Sequence, residues 1–269
     1  MKPIFHVFAS LLVLALFFSS CQQDDSAAIE KTIPKEVLDR IWDLGYSNEN
    51  VQKVDEGYMV EGDIILTQEN LDDHIDHLTL RIAETEQYRT SNLVEGLPRT
   101  ITVSVDTRLT DITGYSEAVN EAIARYNAKN LQLTFLRQGT SGGQIHLKKA
   151  NGNFLASAGF PSGGNPYNLI KINAQAIGSG GSSTFINFCA TIMAHEMGHC
   201  IGFRHTDYMD RSYSCGGAAS NEGSAGVGAI QIPGTPSGPD AGSFMLACIS
   251  LNQNRPFNSN DGTALNYLY

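Results

Sequence analysis

The sequence predicts an α+β fold in which short strands and helices lead into one long apolar helix. Three observations support this prediction. Short runs of alternating apolar and polar residues recur between Thr100 and Asn173, and this period is typical of strands. Ser116–Asn130 instead carries apolar side chains at helical spacing. Thr184–Ile201 is apolar over most of its length and is long enough for a helix rather than a strand.

The remaining elements are predicted from local patterns. Pro34–Leu44 predicts a short helix that Gly45 ends, and Tyr58–Leu66 predicts a strand. Glu69–Arg89 is a charged helical stretch, whereas Ser212–Gly242 is rich in glycine, has no period and predicts a long loop. In the second half of the chain the predicted strands are Thr100–Thr107, Leu131–Leu136, Gln144–Lys148 and Leu169–Asn173.

Length and composition limit the functional classes. The 269 residues allow one large domain, or a small one with an appendage, and an apolar content of 42% is sufficient for a core. The formal net charge is −10, and the sequence contains no stripe of Lys and Arg. Because phosphate binding requires clustered basic side chains, these features exclude nucleic acid as an expected partner.

The N-terminus has the pattern of an export signal. Residues 1–20 contain Lys2, the apolar segment Ile4–Phe18 and two serines, and this segment is too short to span a membrane comfortably. Cys21 follows as in a bacterial lipobox, where the cysteine is acylated; the alternative is ordinary cleavage that leaves a cysteine behind. Residues 21–33 then predict a lipidated tether. We expect an exported protein, either secreted or held as a lipoprotein at the outer membrane or cell surface.

The other cysteines, Cys189, Cys200, Cys215 and Cys248, predict disulfides in an exported chain. Cys189 and Cys200 lie on one predicted helix at a separation of about 16 Å, given 1.5 Å per residue. A disulfide requires Cα atoms within about 7 Å of each other. Cys189 and Cys200 are therefore each expected to pair with Cys215 or Cys248, and both connectivities stay open.

The segment H-E-M-G-H-C-I-G-F-R-H, which begins at His195, has the spacing of a catalytic zinc site. Two histidines four residues apart on a helix share one face, so His195 and His199 can bind one ion. Glu196 points at a different angle and can reach a metal-bound water as a base. Gly202 tolerates the left-handed backbone that ends a helix, and this turn returns His205 as a third ligand. Three protein ligands leave a fourth position open, which is typical of catalytic zinc.

This segment resembles the zinc-binding consensus of the metzincin metallopeptidases, and within that clan it is similar to the bacterial HEIGH-type metallopeptidases. The resemblance covers Pro98–Tyr269 and extends over residues 34–95. It implies a two-subdomain catalytic domain at 96–269, with a mixed twisted sheet, a long zinc-binding helix, a Met-turn and a C-terminal helix. Ser243–Ala247 matches the Met-turn, which implies that Met245 lies beneath the metal.

Two further segments resemble parts of metzincins that contact substrate or close the domain. Phe154–Gly159 is similar to the edge strand along which these enzymes bind an extended peptide; the alternative is an edge that a loop covers. Asn260–Tyr269 resembles the short closing helix of the catalytic domain. The edge-strand residues expected to bind a peptide through their backbone are Leu155, Ala156, Ser157 and Ala158.

The segment Val60–Ile64 resembles the F-E-G-D motif of astacin propeptides, in which the aspartate occupies the open zinc position. By this resemblance Asp63 is a latency switch, and residues 34–95 are a propeptide-like region. The alternative is a plain turn at the end of a strand.

Together these resemblances imply a zinc-dependent endopeptidase that hydrolyses protein or peptide substrates, with one Zn²⁺ as cofactor. The carboxylates of Glu222 and Asp240 are too few to predict calcium. The alternative from another class is a non-catalytic surface lipoprotein that binds host or matrix proteins through a metal-stabilised cleft. Glu196 favours the enzyme, because zinc binding alone does not require that carboxylate.

Overall fold

A mixed sheet and one long helix organise the molecule. The computed structural model describes residues 33–72, 87–219, 221, 229–236 and 239–269. The predicted signal peptide, Cys21 and Glu222 lie outside these residues, as does most of the predicted charged helix, from residue 73 to 86. In the described part, no helix is long and apolar enough to cross a membrane.

The helices and strands are numbered here in chain order. The helices are α1 (Lys35–Asp43), α2 (Gln68–Asp72), α3 (Thr107–Thr110), α4 (Tyr115–Asn127), α5 (Ala174–Ile177), α6 (Ser183–Cys200), α7 (Ser212–Cys215) and α8 (Ser259–Leu268). The strands are β1 (Gln52–Val54), β2 (Gly57–Val60), β3 (Ile64–Leu66), β4 (Tyr88–Arg89), β5 (Arg99–Val105), β6 (Leu133–Arg137), β7 (Ile145–Lys149), β8 (Ala156–Gly159), β9 (Leu169–Ile172) and β10 (Ile230–Gln231).

The main sheet has eight strands in the order β1-β2-β3-β8-β9-β7-β5-β6. From β6 to β9 the neighbouring strands are parallel, and β8 is antiparallel to β9. The N-terminal strands continue this sheet, because β3 pairs in parallel with β8. A separate two-stranded sheet joins β4 to β10. The α+β class with a mixed sheet, predicted from the sequence, is confirmed.

The predicted strand Tyr58–Leu66 is wrong in one respect, since it is a hairpin rather than one strand. β2 and β3 are antiparallel, with Val60 opposite Ile64. The intervening turn requires left-handed backbone at Glu61 (φ 54°) and at Gly62 (φ 90°). A short turn of this handedness matches the twist of the flanking strands, so the two apolar runs fold back on each other.

The long helix α6 lies in the main hydrophobic core. The Ser182 side chain caps its first turn by accepting a hydrogen bond from the backbone N–H of Phe185. Helix α4 packs against it, where the Tyr126 hydroxyl donates to the Ala194 carbonyl at 2.7 Å. At the far end, the hydroxyl of the terminal Tyr269 donates to the carbonyl of Ile201, just beyond α6. The predicted long helix and closing helix are both present, and the second stabilises the end of the first.

A smaller core holds the N-terminal region together. It consists of apolar residues from α1, β2, β3 and α2, joined by Phe160, which follows β8. Phe160 also packs edge-on against His199, with ring centroids 5.6 Å apart. The N-terminal hairpin is thus attached to the sheet by strand pairing on one side and by apolar packing on the other.

The expected disulfide pattern is wrong. Cys215 pairs with Cys248, with Cα atoms 5.1 Å apart, whereas Cys189 and Cys200 are free and buried. Both free cysteines lie on α6 within the hydrophobic core, and burial raises the pKa of the Cys189 thiol to about 12. They act as small apolar side chains in this position, and the two cysteines beyond the helix are left to pair with each other.

Candidate metal centre

The end of α6 turns the chain sharply back towards the histidines. The N–H of Phe203 donates to the Gly198 carbonyl, and the N–H of Gly202 donates to the His199 carbonyl, each at 2.9 Å. This pair of bonds is a Schellman motif, which requires left-handed backbone at Gly202, where φ is 109°. The predicted role of Gly202 is confirmed, and the reversed chain carries His205 to the same side as the helix histidines.

Backbone carbonyl groups orient the two helix histidines. The Nδ1 atom of His195 lies 2.9 Å from the Phe244 carbonyl, and that of His199 lies 2.8 Å from the Phe203 carbonyl. A carbonyl oxygen can only accept, so each Nδ1 carries the proton and each Nε2 keeps a lone pair. Such second contacts fix the tautomer and the ring orientation of metal-binding histidines.

The three imidazoles converge on one point. Their ring centroids are 4.7 Å apart for His195 and His199, 4.9 Å for His199 and His205, and 5.2 Å for His195 and His205. Together with Asp63, one ligand atom from each residue lies within 4.8 Å of all the others. Burial, followed by the charges of His195 and His205, lowers the pKa of His199 well below its usual range, so this ring is neutral and able to bind a metal.

The donor atoms fit a zinc ion. Within the described residues, the Nε2 atoms of His195 and His199 are buried and lack a hydrogen-bond partner, as does Oδ1 of Asp63. Buried polar atoms are rarely left unpaired, because losing water costs about 1–3 kcal/mol per group. Imidazole nitrogens that surround one point are the usual ligands of zinc, and a cation there would satisfy these atoms.

Met245 lies in a tight turn below this cluster. Its N–H donates to the Ser243 hydroxyl at 3.1 Å, and its carbonyl accepts from the Thr206 N–H at 3.0 Å. A Cβ atom placed on Gly198 would come within 2.6 Å of the Met245 sulfur. The turn therefore packs directly on α6 at Gly198, which lies between the two helix histidines.

Asp63, in the N-terminal hairpin, faces the histidines. Its Oδ2 atom lies 3.2 Å from Nε2 of His205 and 3.6 Å from Nε2 of His195. Burial alone raises the pKa of this carboxyl, but the surrounding imidazoles, His205 first, hold it well below its usual range. Asp63 is thus the last residue of a turn, and its carboxylate is one of four groups that could hold an ion.

With this geometry established, comparison with known families is decisive. The model of the dual-action HEIGH metallo-peptidase family matches residues 58–269. The chain belongs to this family. It is therefore a zinc metallopeptidase, and the family assignment and enzyme class predicted from the zinc motif are confirmed, whereas the alternative of a non-catalytic binding protein gains no support.

Distant likenesses exist among solved structures. Myroilysin is 15% identical to this chain, with a TM-score of 0.38. The matched region covers 63% of this chain and 79% of the myroilysin chain. High choriolytic enzyme 1, a hatching enzyme zinc-protease from Oryzias latipes (medaka fish), is 15% identical, covers 63% of this chain and 88% of its own, and has a TM-score of 0.37. No curated protein matches the sequence. At these scores neither structure carries any part of the mechanism.

Glu196 follows His195 directly on helix α6 and lies beside the metal-binding histidines. Its Oε2 atom is buried and has no hydrogen-bond partner among the described residues. Burial raises the pKa of Glu196 well above its usual range, and the Asp63 carboxylate raises it further. Glu196 is outside the group of four potential ligands, as expected for a residue that acts near the metal without binding it.

The predicted substrate edge strand is present but its edge is covered. Ala156, Ser157 and Ala158 lie in β8, and Leu155 precedes it. The N–H of Ala158 donates to the Asp63 carbonyl at 2.9 Å, and β3 pairs along the strand. The chain's own hairpin, rather than a loop, thus occupies the edge of β8 at Ala158 and Gly159.

A cavity of about 220 Å³ opens beside the metal centre of the peptidase. The helix contributes Thr191, Ile192 and Glu196 to its walls, and the chain after the Met245 turn contributes the opposite side. Two arginines, Arg211 and Arg255, also line it. Neither arginine was predicted from the sequence, because nothing in their local pattern distinguishes them from surface residues.

Asp207 is a further residue that the sequence did not reveal. Its carboxylate accepts from the Ala247 N–H at 2.9 Å and from the Ser214 hydroxyl at 2.5 Å. The Ser214 hydroxyl in turn accepts from the Cys248 N–H at 2.9 Å. Asp207 thus positions the cavity wall relative to the histidine segment. The only feature of the sequence that could have identified Asp207 is its position two residues after His205.

Asp240, considered for calcium, has its hydrogen bonds within the protein. It accepts from the Asn258 side chain at 2.7 Å, from the Asn260 side chain at 2.8 Å and from the Gly242 N–H at 2.8 Å. These contacts connect the loop to the start of α8. No calcium site is proposed.

Proposed function

We propose that the chain is an endopeptidase in which His195, His199 and His205 bind the zinc ion and Glu196 is the general base. The observation that carries this proposal is the convergence of three imidazoles beside Glu196, two of them oriented by carbonyl groups and left with unpartnered Nε2 atoms. Three protein ligands with an open fourth position are typical of catalytic rather than structural zinc.

Zinc bound there supplies a Lewis acid that makes water more acidic and polarises the scissile carbonyl. Glu196 accepts the proton from the attacking water and delivers it to the leaving amine, as a positioned general base and acid. The carbonyl groups of Phe244 and Phe203 hold His195 and His199 in the tautomer that leaves Nε2 free to bind. The buried walls of the cleft exclude water that would otherwise compete for these groups.

Casein hydrolysis, with and without a zinc chelator, tests the proposal. We expect internal cleavage of casein, seen by mass spectrometry as fragments of intermediate length, that stops on chelation and returns when zinc is added. Metal analysis of the same samples must show about one zinc per chain. A metal-loaded chain that releases only terminal residues would be an exopeptidase, and one that still cleaves nothing after removal of the N-terminal hairpin would contradict the mechanism.

The N-terminal hairpin is proposed to keep the enzyme latent, with Asp63 in the open zinc position. Three contacts support this part of the proposal. The Asp63 carboxylate approaches two of the histidines, the Asp63 carbonyl pairs with β8, and Glu61 forms an ion pair with Arg204, next to His205. A carboxylate oxygen is a suitable zinc ligand. The same hairpin blocks both the metal and the strand edge that a peptide substrate would use.

Activity before and after removal of the hairpin tests latency. The full-length wild type should be nearly inactive, whereas full-length Asp63→Ala should be active without processing. X-ray absorption at the zinc edge should show that Asp63→Ala supplies one protein oxygen ligand fewer than wild type. A processed chain beginning at Gln87 retains the Gln87 side-chain bond to Asp261, at 2.6 Å, and the Thr90 N–H bond to Gly202, at 2.8 Å. Equal activity and an unchanged metal shell in wild type and Asp63→Ala would leave Asp63 as a turn residue.

Export and lipid anchoring at Cys21 complete the proposal. Buried acyl CH₂ groups provide membrane affinity, so Cys21→Ser should move the protein from the membrane fraction to the soluble fraction. Its peptidase activity after processing should be unchanged. A wild-type protein found only in the soluble fraction of its native cells would contradict acylation.

A further inference from the structure

The cavity beside the metal centre combines apolar walls with the carboxylates of Asp63 and Glu196 and two arginines, of which Arg211 donates to the Glu61 carbonyl. Ile192 of α6 and Leu246 and Ile249 of the following chain supply apolar walls. Its volume, about 220 Å³, exceeds the roughly 150 Å³ that is known to admit a benzene-sized group. One substrate side chain therefore fits beside the metal. Arg255 lies in the same lining.

Arg255 is buried without a charged partner. Only 6% of the residue is exposed. Its Nη2 atom donates to the Cys248 carbonyl at 3.0 Å and to the Gln253 side chain at 3.2 Å. Its Nε atom is buried with no hydrogen-bond partner, and no carboxylate in the described part of the chain lies within 4.0 Å of the guanidinium. The hydrogen bonds of the guanidinium described here thus go to uncharged carbonyl oxygens, one from the backbone and one from the Gln253 amide.

The two carboxylates whose charge acts on Arg255 have hydrogen-bond partners of their own. Asp207 and Asp261 influence the charge of Arg255 from a distance. Asp207 is bonded to the Ala247 N–H and to Ser214, as described above. Asp261 accepts from Gln87 at 2.6 Å and from Ser243 at 2.9 Å. Burial lowers the pKa of Arg255, but an arginine in a protein stays charged.

A buried guanidinium of this kind favours an anionic ligand. Leaving a charge buried and unpaired is costly, and a carboxylate can accept two parallel hydrogen bonds from an arginine. We infer that the cavity receives a carboxylate of the peptide substrate next to the scissile bond, and that Arg255 determines this preference. This inference rests on the proposed peptidase function. The carboxylate is either the side chain of Asp or Glu, or the free C-terminus of the peptide.

Matched peptides distinguish these sources. The experiment uses the chain in the form that cleaves casein, whether full-length or processed. It measures kcat/KM for peptides with Asp against Asn, and Glu against Gln, at each position flanking the bond. Every peptide is tested with a free and with an amidated C-terminus. We expect the acid to be favoured over its amide by about 10- to 100-fold, the usual effect of a hydrogen bond to a charged group. A preference in amidated peptides identifies the side chain, and one confined to free C-termini identifies the terminal carboxylate.

Variants of Arg255 separate specificity from folding. Arg255→Gln should bring the acid-to-amide ratio close to one while retaining hydrolysis of neutral peptides, and Arg255→Lys should keep part of the preference. Arg137→Gln is the control, since Arg137 also has a buried nitrogen without a partner but lies on β6, the edge strand farthest in the sheet order from the hairpin that carries Asp63. The acid-to-amide ratio of kcat/KM for Arg137→Gln should match that of the wild type.

The outcomes separate this inference from the function on which it rests. If neither the full-length chain nor the processed chain without the N-terminal hairpin cleaves casein or any peptide, the proposed function itself is wrong. If the wild type cleaves casein but shows no preference for acids, or if Arg255→Gln keeps the preference, the pocket assignment is overturned. The wild-type ratio and Arg255→Lys decide the matter if Arg255→Gln does not fold.

Discussion

Replacing Glu61 with glutamine should open the covered cleft without changing any residue near enough to bind the metal. Both oxygens of Glu61 accept from Nη2 of Arg204, at 2.8 and 2.9 Å, and both side chains are 0% exposed. Arg204 also donates to the Gly45 carbonyl at 3.0 Å and stacks over Tyr46 at 4.5 Å. Glutamine keeps the size of the side chain but removes the charge that Arg204 faces.

The magnitude follows from burial. Removing one partner of a buried ion pair costs about 3–5 kcal/mol, because the remaining charge stays out of water. This cost applies only to the form in which the hairpin covers the metal centre, since release of the hairpin returns Arg204 to water. At about 1.4 kcal/mol for each factor of ten, the equilibrium should move towards the open form by roughly 100- to 4,000-fold.

The assay is the initial rate of peptide hydrolysis by the full-length chain, with gel samples that exclude processing during the measurement. Glu61→Gln should be active while wild type is nearly inactive, and hydrogen exchange at the Ala158 N–H should accelerate.

Glu56→Gln is the matched control. The Glu56–Lys171 pair also connects the hairpin to the sheet, but its side chains are 24% and 14% exposed, and pairs in contact with water contribute about 1 kcal/mol or less. If the two variants have equal rates, the buried pair does not hold the hairpin in place.

Three further predictions concern the metal centre and its support. Glu196→Ala should keep zinc by metal analysis but lose about 10²–10⁴-fold in kcat, and near-normal hydrolysis would remove Glu196 from the mechanism. Gly198→Ala places a Cβ within 2.6 Å of the Met245 sulfur, so thermal unfolding should show a loss of about 1–3 kcal/mol; an unchanged melting temperature would mean that the turn moves freely. Serine in place of both Cys215 and Cys248 should cost about 2–4 kcal/mol in denaturant unfolding, whereas a stability equal to wild type would show that this bond constrains nothing.

The zinc-binding helix was predictable because its information is local. Helical period places His195 and His199 on one face, and glycine at 202 permits the left-handed turn that ends α6. The closing helix was expected from the resemblance alone, and the structure adds the capping box of Asn258 and Asp261 that begins it.

The cysteines show where local reasoning fails. Sequence spacing correctly excluded a bond between Cys189 and Cys200, but it did not reveal that both side chains point into the core. The choice of Cys215–Cys248 depends on how the loop after His205 packs against the chain after Met245. That packing joins segments far apart in sequence, so no local pattern encodes it.

The sequence by itself determined the metal motif, the α+β class and the long helix that carries the motif, because each depends on residues within a few turns of one another. Only the tertiary structure decided that β3 covers β8, that Asp63 faces the histidines, and that Arg255 lies unpaired beside them. These features arise from strand pairing and burial between distant segments. Whether a charged side chain lies in water or in a closed core is set by its neighbours in space, and a single sequence does not specify those neighbours.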